Sequence, residues 1–214
     1  MDVQPLEERI HAMFSQMDYG LFVDINNLAV THAFFNPVMV FLSQYGEYLF
    51  YLGIVLYWFS RSSKNRRMVT EALLSATIAL GINALIGIFL YRDRPFVHHH
   101  VIQLIQHAAN ASFPSDHATG AFVIATAIWM FRKRDGWLWL LLASGISFSR
   151  IWTGVHYPSD VIAGMIIGIS IATIIHGLLI LWKGIDQFVN KCIGFYEDIE
   201  KRIWKENKKH HPIH

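Results

Sequence analysis

Four short clusters of ionisable side chains interrupt an otherwise apolar sequence: Arg92-Asp93-Arg94-Pro95, Phe113-Pro114-Ser115-Asp116-His117, Ser149-Arg150, and His156 with Asp160. His156 precedes Asp160 by four residues, so one helical turn starting near Pro158 brings the carboxylate to the imidazole and fixes its tautomer and orientation. An imidazole held this way is a nucleophile. Its attack on phosphorus gives a phosphohistidine, with Asp160 stabilising the positive charge that develops on the ring. His117, on another helix, is then free to protonate the leaving oxygen and afterwards to activate water. Arg94 and Arg150 supply planar, permanently charged forks that match phosphate oxygens, and Arg92 is a candidate third. Pro114-Ser115-Asp116 and Pro158-Ser159-Asp160 read as helix starts whose free N–H groups bind anions, which places Ser115 and His117 beside such a site.

The elements that must position these groups belong to a membrane protein. Of the 214 residues, 53% are hydrophobic and 16% charged, against about 25% charged in ordinary soluble domains; mean hydropathy is +0.32. Apolar runs cover Pro37 to Phe59, Met68 to Leu90, Ala118 to Phe131, Trp137 to about Ser149, and Val161 to Trp182. The first, second and fifth are long enough for a bilayer core of about 30 Å, and the other two reach that length by borrowing polar residues at their ends. The expected fold is all-α: a polytopic transmembrane helix bundle of five spans, with a sixth left open. Amphipathic terminal segments flank it at 1–36, read as interfacial, and at 183–214, read as a basic cytoplasmic tail on the inner leaflet or against a partner helix. Gly164 and Gly168 in the last span permit close helix packing.

Basic residues fall in alternating connections: Arg61, Lys64, Arg66 and Arg67; Arg132, Lys133 and Arg134; and Lys183, Lys191, Lys201, Arg202, Lys205, Lys208 and Lys209. The positive-inside rule makes those segments and the C-terminus cytoplasmic, and turns the 91–116 and 150–160 connections outward. Four helix ends then meet at one depth, which gathers residues spread from 92 to 160, and the charges within the spans are expected at their outer ends. The formal net charge of +2 is too small to suggest nucleic acid. Cys192 has no partner for an internal disulfide. Asp2, Glu7 and Glu8 stand where a cleavable signal would carry basic residues.

Other readings use the same residues. On a purely structural reading, Arg94 and Arg150 are interfacial anchors and the histidines cap helices. His98, His99, His100 and His107 share one connection and offer ligands for zinc or copper, although consecutive histidines diverge and no cysteine accompanies them. Magnesium is disfavoured, since Asp93, Asp116, Asp160 and Glu47 form no aspartate-rich motif, so neither metal nor cofactor is expected. Intramembrane charges also line transporters, but no continuous polar path or inverted repeat is evident.

The motifs resemble those of the type 2 phosphatidic acid phosphatase (PAP2) superfamily, which includes the vanadium haloperoxidases. The family pattern is Lys-x6-Arg-Pro, Pro-Ser-Gly-His and Ser-Arg-x5-His-x3-Asp. Its third element is complete from Ser149-Arg150 through His156 to Asp160; the first survives as Arg94-Pro95 with Gly87 at the lysine position; the second reads Pro114-Ser115-Asp116-His117. The resemblance, over roughly 68 to 182, implies a PAP2/haloperoxidase-like core with His156 as nucleophile, Asp160 as its orienter and His117 as general acid. It makes Arg94, Ser115 and Arg150 the phosphate ligands. Arg-Asp-Arg-Pro-Phe and Phe-Pro-Ser-Asp-His-Ala are similar to the bacterial undecaprenyl pyrophosphate phosphatase subgroup. That implies a polyprenyl pyrophosphate lipid as substrate, hydrolysed on the outer face of the cell membrane to recycle the carrier for cell-wall synthesis. Phosphatidylglycerophosphate and phosphatidic acid are the alternative substrates, and a homo-oligomer is left open. Asp116 places a negative charge beside the phosphate site. Glu47, about 15 Å along the first span from Pro37, is expected either to orient Arg92, Arg94 or Arg150 in partial compensation for Gly87, or to sit protonated against a neighbouring helix.

Overall fold

The computed structural model describes residues 5–210, and its regular elements are helices: α1 (Leu6–Thr31), α2 (Asn36–Phe59), α3 (Ser63–Phe89), α4 (Pro95–His98), α5 (Asp116–Phe131), α6 (Lys133–Trp152), α7 (Pro158–Leu181) and α8 (Lys183–His210), with a 3-10 turn at Ala33–Phe35 before α2. Asp2, and the side chains of Lys205, Lys208 and Lys209, lie outside the described residues. Local sequence sets the starts. Ser62 accepts from the Asn65 N–H at the head of α3, Ser115 caps α5, and proline occupies the first turn of α2 and α7.

The segments Ala33–Phe59, Ser63–Phe89 and Pro158–Leu181 are long and apolar enough to cross a membrane. The third apolar run forms a different kind of element. α5 has 16 residues, about 24 Å of helix, and it is the core of the bundle: every residue from Ala121 to Ile128 is buried, with α3, α6 and α7 packed around it. Its apolarity serves helix packing rather than lipid contact. α2 lies against α6, α8 against α3 and α7, and α1 against α6 and α7.

α5 and α7 approach closely because glycines face α5. A Cβ on Gly164 would stand 2.6 Å from the Ser115 carbonyl oxygen, and one on Gly168 would stand 2.7 Å from that of Thr119. This contact lets the Ser115 N–H donate to the Asp160 carbonyl at 3.0 Å, bringing the N-terminal turns of α5 and α7 together.

The basic connections collect at the opposite end. Arg132 donates to Asn65, and Arg66 pairs with Glu197 and Glu200 of α8. One expectation changes here: charges within the helices are not confined to the end that carries the phosphate-type cluster. Glu71, buried in α3, meets Arg67 at 2.6 Å and His176 of α7 at 2.7 Å, and Arg67 continues to Asp186 of α8 at 2.7 Å. A buried acid persists when it is paired, and this chain of ion pairs ties three helices.

The terminal helices are more firmly attached than an interfacial reading requires. The early stripe of α1 (Leu6, Ile10, Met13, Phe14, Met17) is exposed, but Phe22, Asn26 and Ala29 are buried. Asn26 donates to the carbonyls of Ile102 and Trp152 and accepts from the Ile102 N–H, all at 2.9 Å. In α8, Ile193 is buried and Tyr196 packs on Trp58 and Arg66, while Phe188, Phe195, Ile199 and Ile203 are exposed.

Gly168→Val forces apart backbones that already touch, so it should lower stability by about 3 kcal/mol. Thermal unfolding in detergent measures this, with Gly184→Val, where nothing lies within 4 Å of the added Cβ, as the neutral control.

Candidate active site

The connection between α6 and α7 turns sharply at Gly154, whose φ of +81° favours glycine and where a Cβ would fall 2.7 Å from the Ile102 carbonyl. That turn delivers His156 over the first turn of α7. Asp160 reaches back to accept from the Tyr157 N–H at 2.8 Å, which fixes its carboxylate independently of the histidine. The same oxygen accepts from Ser112 Oγ at 2.5 Å and stands 3.5 Å from His156 Nδ1; the other oxygen accepts from Arg92 at 2.9 Å.

The remaining imidazole nitrogen, Nε2, lies 3.0 Å from Nη1 of Arg94. A guanidinium can only donate, so Nε2 accepts, and the ring proton sits on Nδ1 facing Asp160. The lone pair available for attack is therefore on Nε2. Arg94 is held by the carbonyls of Val155 (2.9 Å) and Ala111 (3.2 Å) and by Asn110 Oδ1 (3.0 Å). Arg150, 2% exposed, donates through Nη1 to the Ser43 carbonyl at 2.9 Å and the Ser43 hydroxyl at 3.1 Å. Its Nε and Nη2 are buried with no partner among the described residues. Two unsatisfied charged donors are costly, and phosphate oxygens would satisfy them.

His117, in the first turn of α5, lies within electrostatic reach of His156, Arg94 and Arg150, and its Nε2 is 3.7 Å from Glu47. Glu47 therefore stands opposite a histidine rather than hydrogen-bonded to one of the three arginines. Ser115 is a buried helix cap, its hydroxyl 3.5 Å from the Ala118 N–H. Asp116 accepts from Asn83 at 3.0 Å. Arg92 is not gathered with Arg94 and Arg150: it binds Asp18, Ser159 and Asp160 on the Nδ1 side of the imidazole. Gly87 borders a cavity of about 350 Å³ shared with Asn83, Asn110 and Asp116. Three histidines of the 91–115 connection have separate partners: His98 pairs with Asp93, His99 stacks on Tyr19, and His107 lies edge-on to His156 with centroids 6.4 Å apart.

Residues 68–182 match the PAP2 superfamily. The chain belongs to the PAP2 superfamily. Among relatives of this PAP2 chain, the bacitracin transport permease protein BcrC of Bacillus licheniformis is 38% identical over 192 residues, 89% of this chain and 92% of the relative. The undecaprenyl-diphosphatase BcrC of Bacillus subtilis is 34% identical over 89% of this chain and 97% of its own length. The crystal structure of Aquifex aeolicus LpxE resembles it with a TM-score of 0.61 at 29% identity, covering 74% of this chain and 94% of that one. A PAP2-type phosphatidylglycerolphosphate phosphatase from Bacillus subtilis shares the fold, with a TM-score of 0.56 at 23% identity, over 75% of this chain and 85% of that one.

In this PAP2 site, sequence spacing misses Ser112, Ser43 and Asp18. Ser112 and Ser43 lie outside the motifs and carry no pattern of their own, and Asp18 reaches Arg92 across 74 positions. Electrostatics favours the nucleophilic form of His156. Burial lowers its pKa to about 4, with Arg150 and Arg94 adding to the fall and the Asp160 hydrogen bond opposing it. Burial also lowers Arg94 and His107 below their ordinary values.

A lowered histidine pKa keeps the ring neutral above that value and charges it below. The acid limb of kcat/KM should therefore fall near pH 4, and not near the ordinary value of about 6.5. Asp160→Asn removes the carboxylate that favours the protonated ring, so it should move the limb to lower pH; pH profiles of wild type and variant check both.

Proposed function

We propose that this protein is an integral membrane hydrolase that removes the terminal phosphate of undecaprenyl diphosphate, giving undecaprenyl phosphate and inorganic phosphate. The observation that carries the phosphatase reading is the buried Arg150 fork with two unpartnered donors beside the His156–Asp160 pair. The long prenyl substrate is taken from the undecaprenyl-diphosphatase relative, which shares nearly the whole chain.

In the reaction, His156 Nε2 attacks the terminal phosphorus and the bond to the bridging oxygen breaks. His117 gives its proton to that oxygen. Asp160 balances the charge on the phosphorylated ring, and Arg94 and Arg150 hold the equatorial oxygens as charge shifts among them. His117, now neutral, takes a proton from water, whose oxygen attacks phosphorus; the P–N bond breaks and phosphate leaves. Glu47 faces His117, its carboxylate 3.7 Å from Nε2. The site end faces outward and the basic end, with α8, faces the cytoplasm, supported by the charge distribution among the connections.

Another relative is named a transport permease. The apolar core of Met68, Val69, Ala72, Ala79, Phe122 and Val123 lies along the bundle below the site, which favours catalysis over passage of a solute.

Purified protein should release phosphate from undecaprenyl diphosphate faster than from phosphatidylglycerophosphate or phosphatidic acid. A preference for either glycerolipid would replace the substrate assignment and leave the chemistry intact. His156→Ala should lose at least ~10³-fold in kcat, the scale of removing a nucleophile, and Asp160→Asn less, since the attacking nitrogen remains. Arg150→Lys, which keeps the charge and loses the fork, should lower kcat by about 100-fold. Activity should withstand EDTA and be inhibited by vanadate; loss in chelator restored by Mg²⁺ or Zn²⁺ would contradict the metal-free mechanism.

A further inference from the structure

We infer that Asp18 is a positioning residue of this reaction, holding Arg92 on Asp160 so that α1, outside the PAP2 segment 68–182, sets the orientation of the nucleophile. The inference rests on His156 being the nucleophile, as proposed above.

Asp18 lies on α1, and both of its oxygens are used. Oδ1 accepts from the Ser159 N–H at 2.9 Å; Oδ2 accepts from Ser159 Oγ at 2.6 Å and from Arg92 Nη2 at 2.7 Å. Arg92 Nη1 then donates to Ser159 Oγ at 2.7 Å and to Asp160 Oδ1 at 2.9 Å. The guanidinium lies over the Tyr157 ring, 3.8 Å from its centroid. Arg92 is thus a bridge with one terminal nitrogen on each carboxylate and an aromatic face beneath it. A fork used in this way is not turned to a phosphate.

The direction of the bridge decides its role. Asp160 presents Oδ2 to His156 Nδ1 and Oδ1 to Arg92. Attack takes place at Nε2, across the ring, where Arg94 stands. Arg92 therefore acts on the far oxygen of Asp160 and reaches the reacting atoms only through it. Without Asp18, Arg92 loses its second anion and is freer to leave Oδ1, and the Asp160 carboxylate is then held only on its Oδ2 side, by the Tyr157 N–H and Ser112. Asp18 also satisfies a first-turn N–H of α7, a cap supplied from another helix. A cap alone would contribute stability. The bridge adds a term that passes through Arg92.

A double-mutant cycle separates the two roles. Asp18→Asn, Arg92→Gln and the double variant are purified, checked for thermal unfolding in detergent, and assayed on undecaprenyl diphosphate. Asp18→Asn and Arg92→Gln should each lower kcat by about 10–100-fold, by analogy with the loss of an outer partner that orients a metal-ligating side chain, with KM within about twofold. The double variant should be no slower than Arg92→Gln alone. Multiplying losses, or a wild-type kcat in Asp18→Asn, would overturn the inference, and a raised KM in Arg92→Gln would return Arg92 to the phosphate. If Asp18→Asn does not fold, Ser159→Ala removes the shared hydroxyl and leaves both charges, and it should lower kcat with KM unchanged; an unchanged kcat there would also overturn the proposal. Failure of the parent reading looks different: His156→Ala would itself retain activity.

Discussion

The carboxylate of Asp160 is fully buried, and the site is built to keep it charged and aimed. Its exposure is 0%, and it receives the Tyr157 N–H, the Ser112 hydroxyl and Arg92 in addition to its contact with His156. A buried carboxylate without partners would be expensive, so these donors come from three separate segments: the 91–94 connection, the approach to α5, and the first turn of α7. Each donor also fixes the segment that carries it. Ser112 anchors the stretch leading into Ser115 and His117. Arg92 fixes the end of α3 two residues before Arg94. The Tyr157 N–H sets the angle at which His156 leaves the turn at Gly154.

The close packing of α5 on α7 supplies the framework. Gly164 and Gly168 allow the two backbones to meet, and the Ser115 N–H to Asp160 carbonyl bond closes the gap at the site end. His117 of α5 and His156 of the α6–α7 connection thereby come within electrostatic reach of each other and of Arg94 and Arg150. The same packing explains why α5 is apolar although it is short. It is surrounded by three helices of the same chain, and its sequence answers to them.

Much of the site's geometry is legible in the sequence because it is local. The four-residue step from His156 to Asp160 encodes one helical turn, and a Pro-Ser-Asp start encodes a capped helix, so those residues and their spacing suffice. Arg94 and Arg150 were identifiable by type, since a planar permanent cation beside hydrocarbon needs an anion. The rest depends on contacts distant in sequence. Arg92 reads as a third phosphate cation until Asp18 is seen 74 positions away, and Glu71 reads as a stray charge until His176 is found beside it at a separation of 105. Glu47 is expected either to orient an arginine or to sit against a neighbouring helix; its carboxylate stands 3.7 Å from His117 Nε2 and within electrostatic reach of Arg150. The first half of α1 carries the exposed apolar stripe that its periodicity suggests, and its second half is held by Asn26, whose three hydrogen bonds to distant backbone leave no trace in a hydropathy pattern.

The account centres on a covalent bond between phosphorus and His156 Nε2, and a chemical quench tests it most directly. Protein mixed with substrate labelled in the terminal phosphate and stopped within one turnover should carry label in a bond that is stable to base and labile to acid. The label should map to His156, be absent in His156→Ala, and persist longer in His117→Ala because water is then poorly activated. Label on another residue, or turnover by wild-type protein with no phosphoenzyme in either background, would contradict the account.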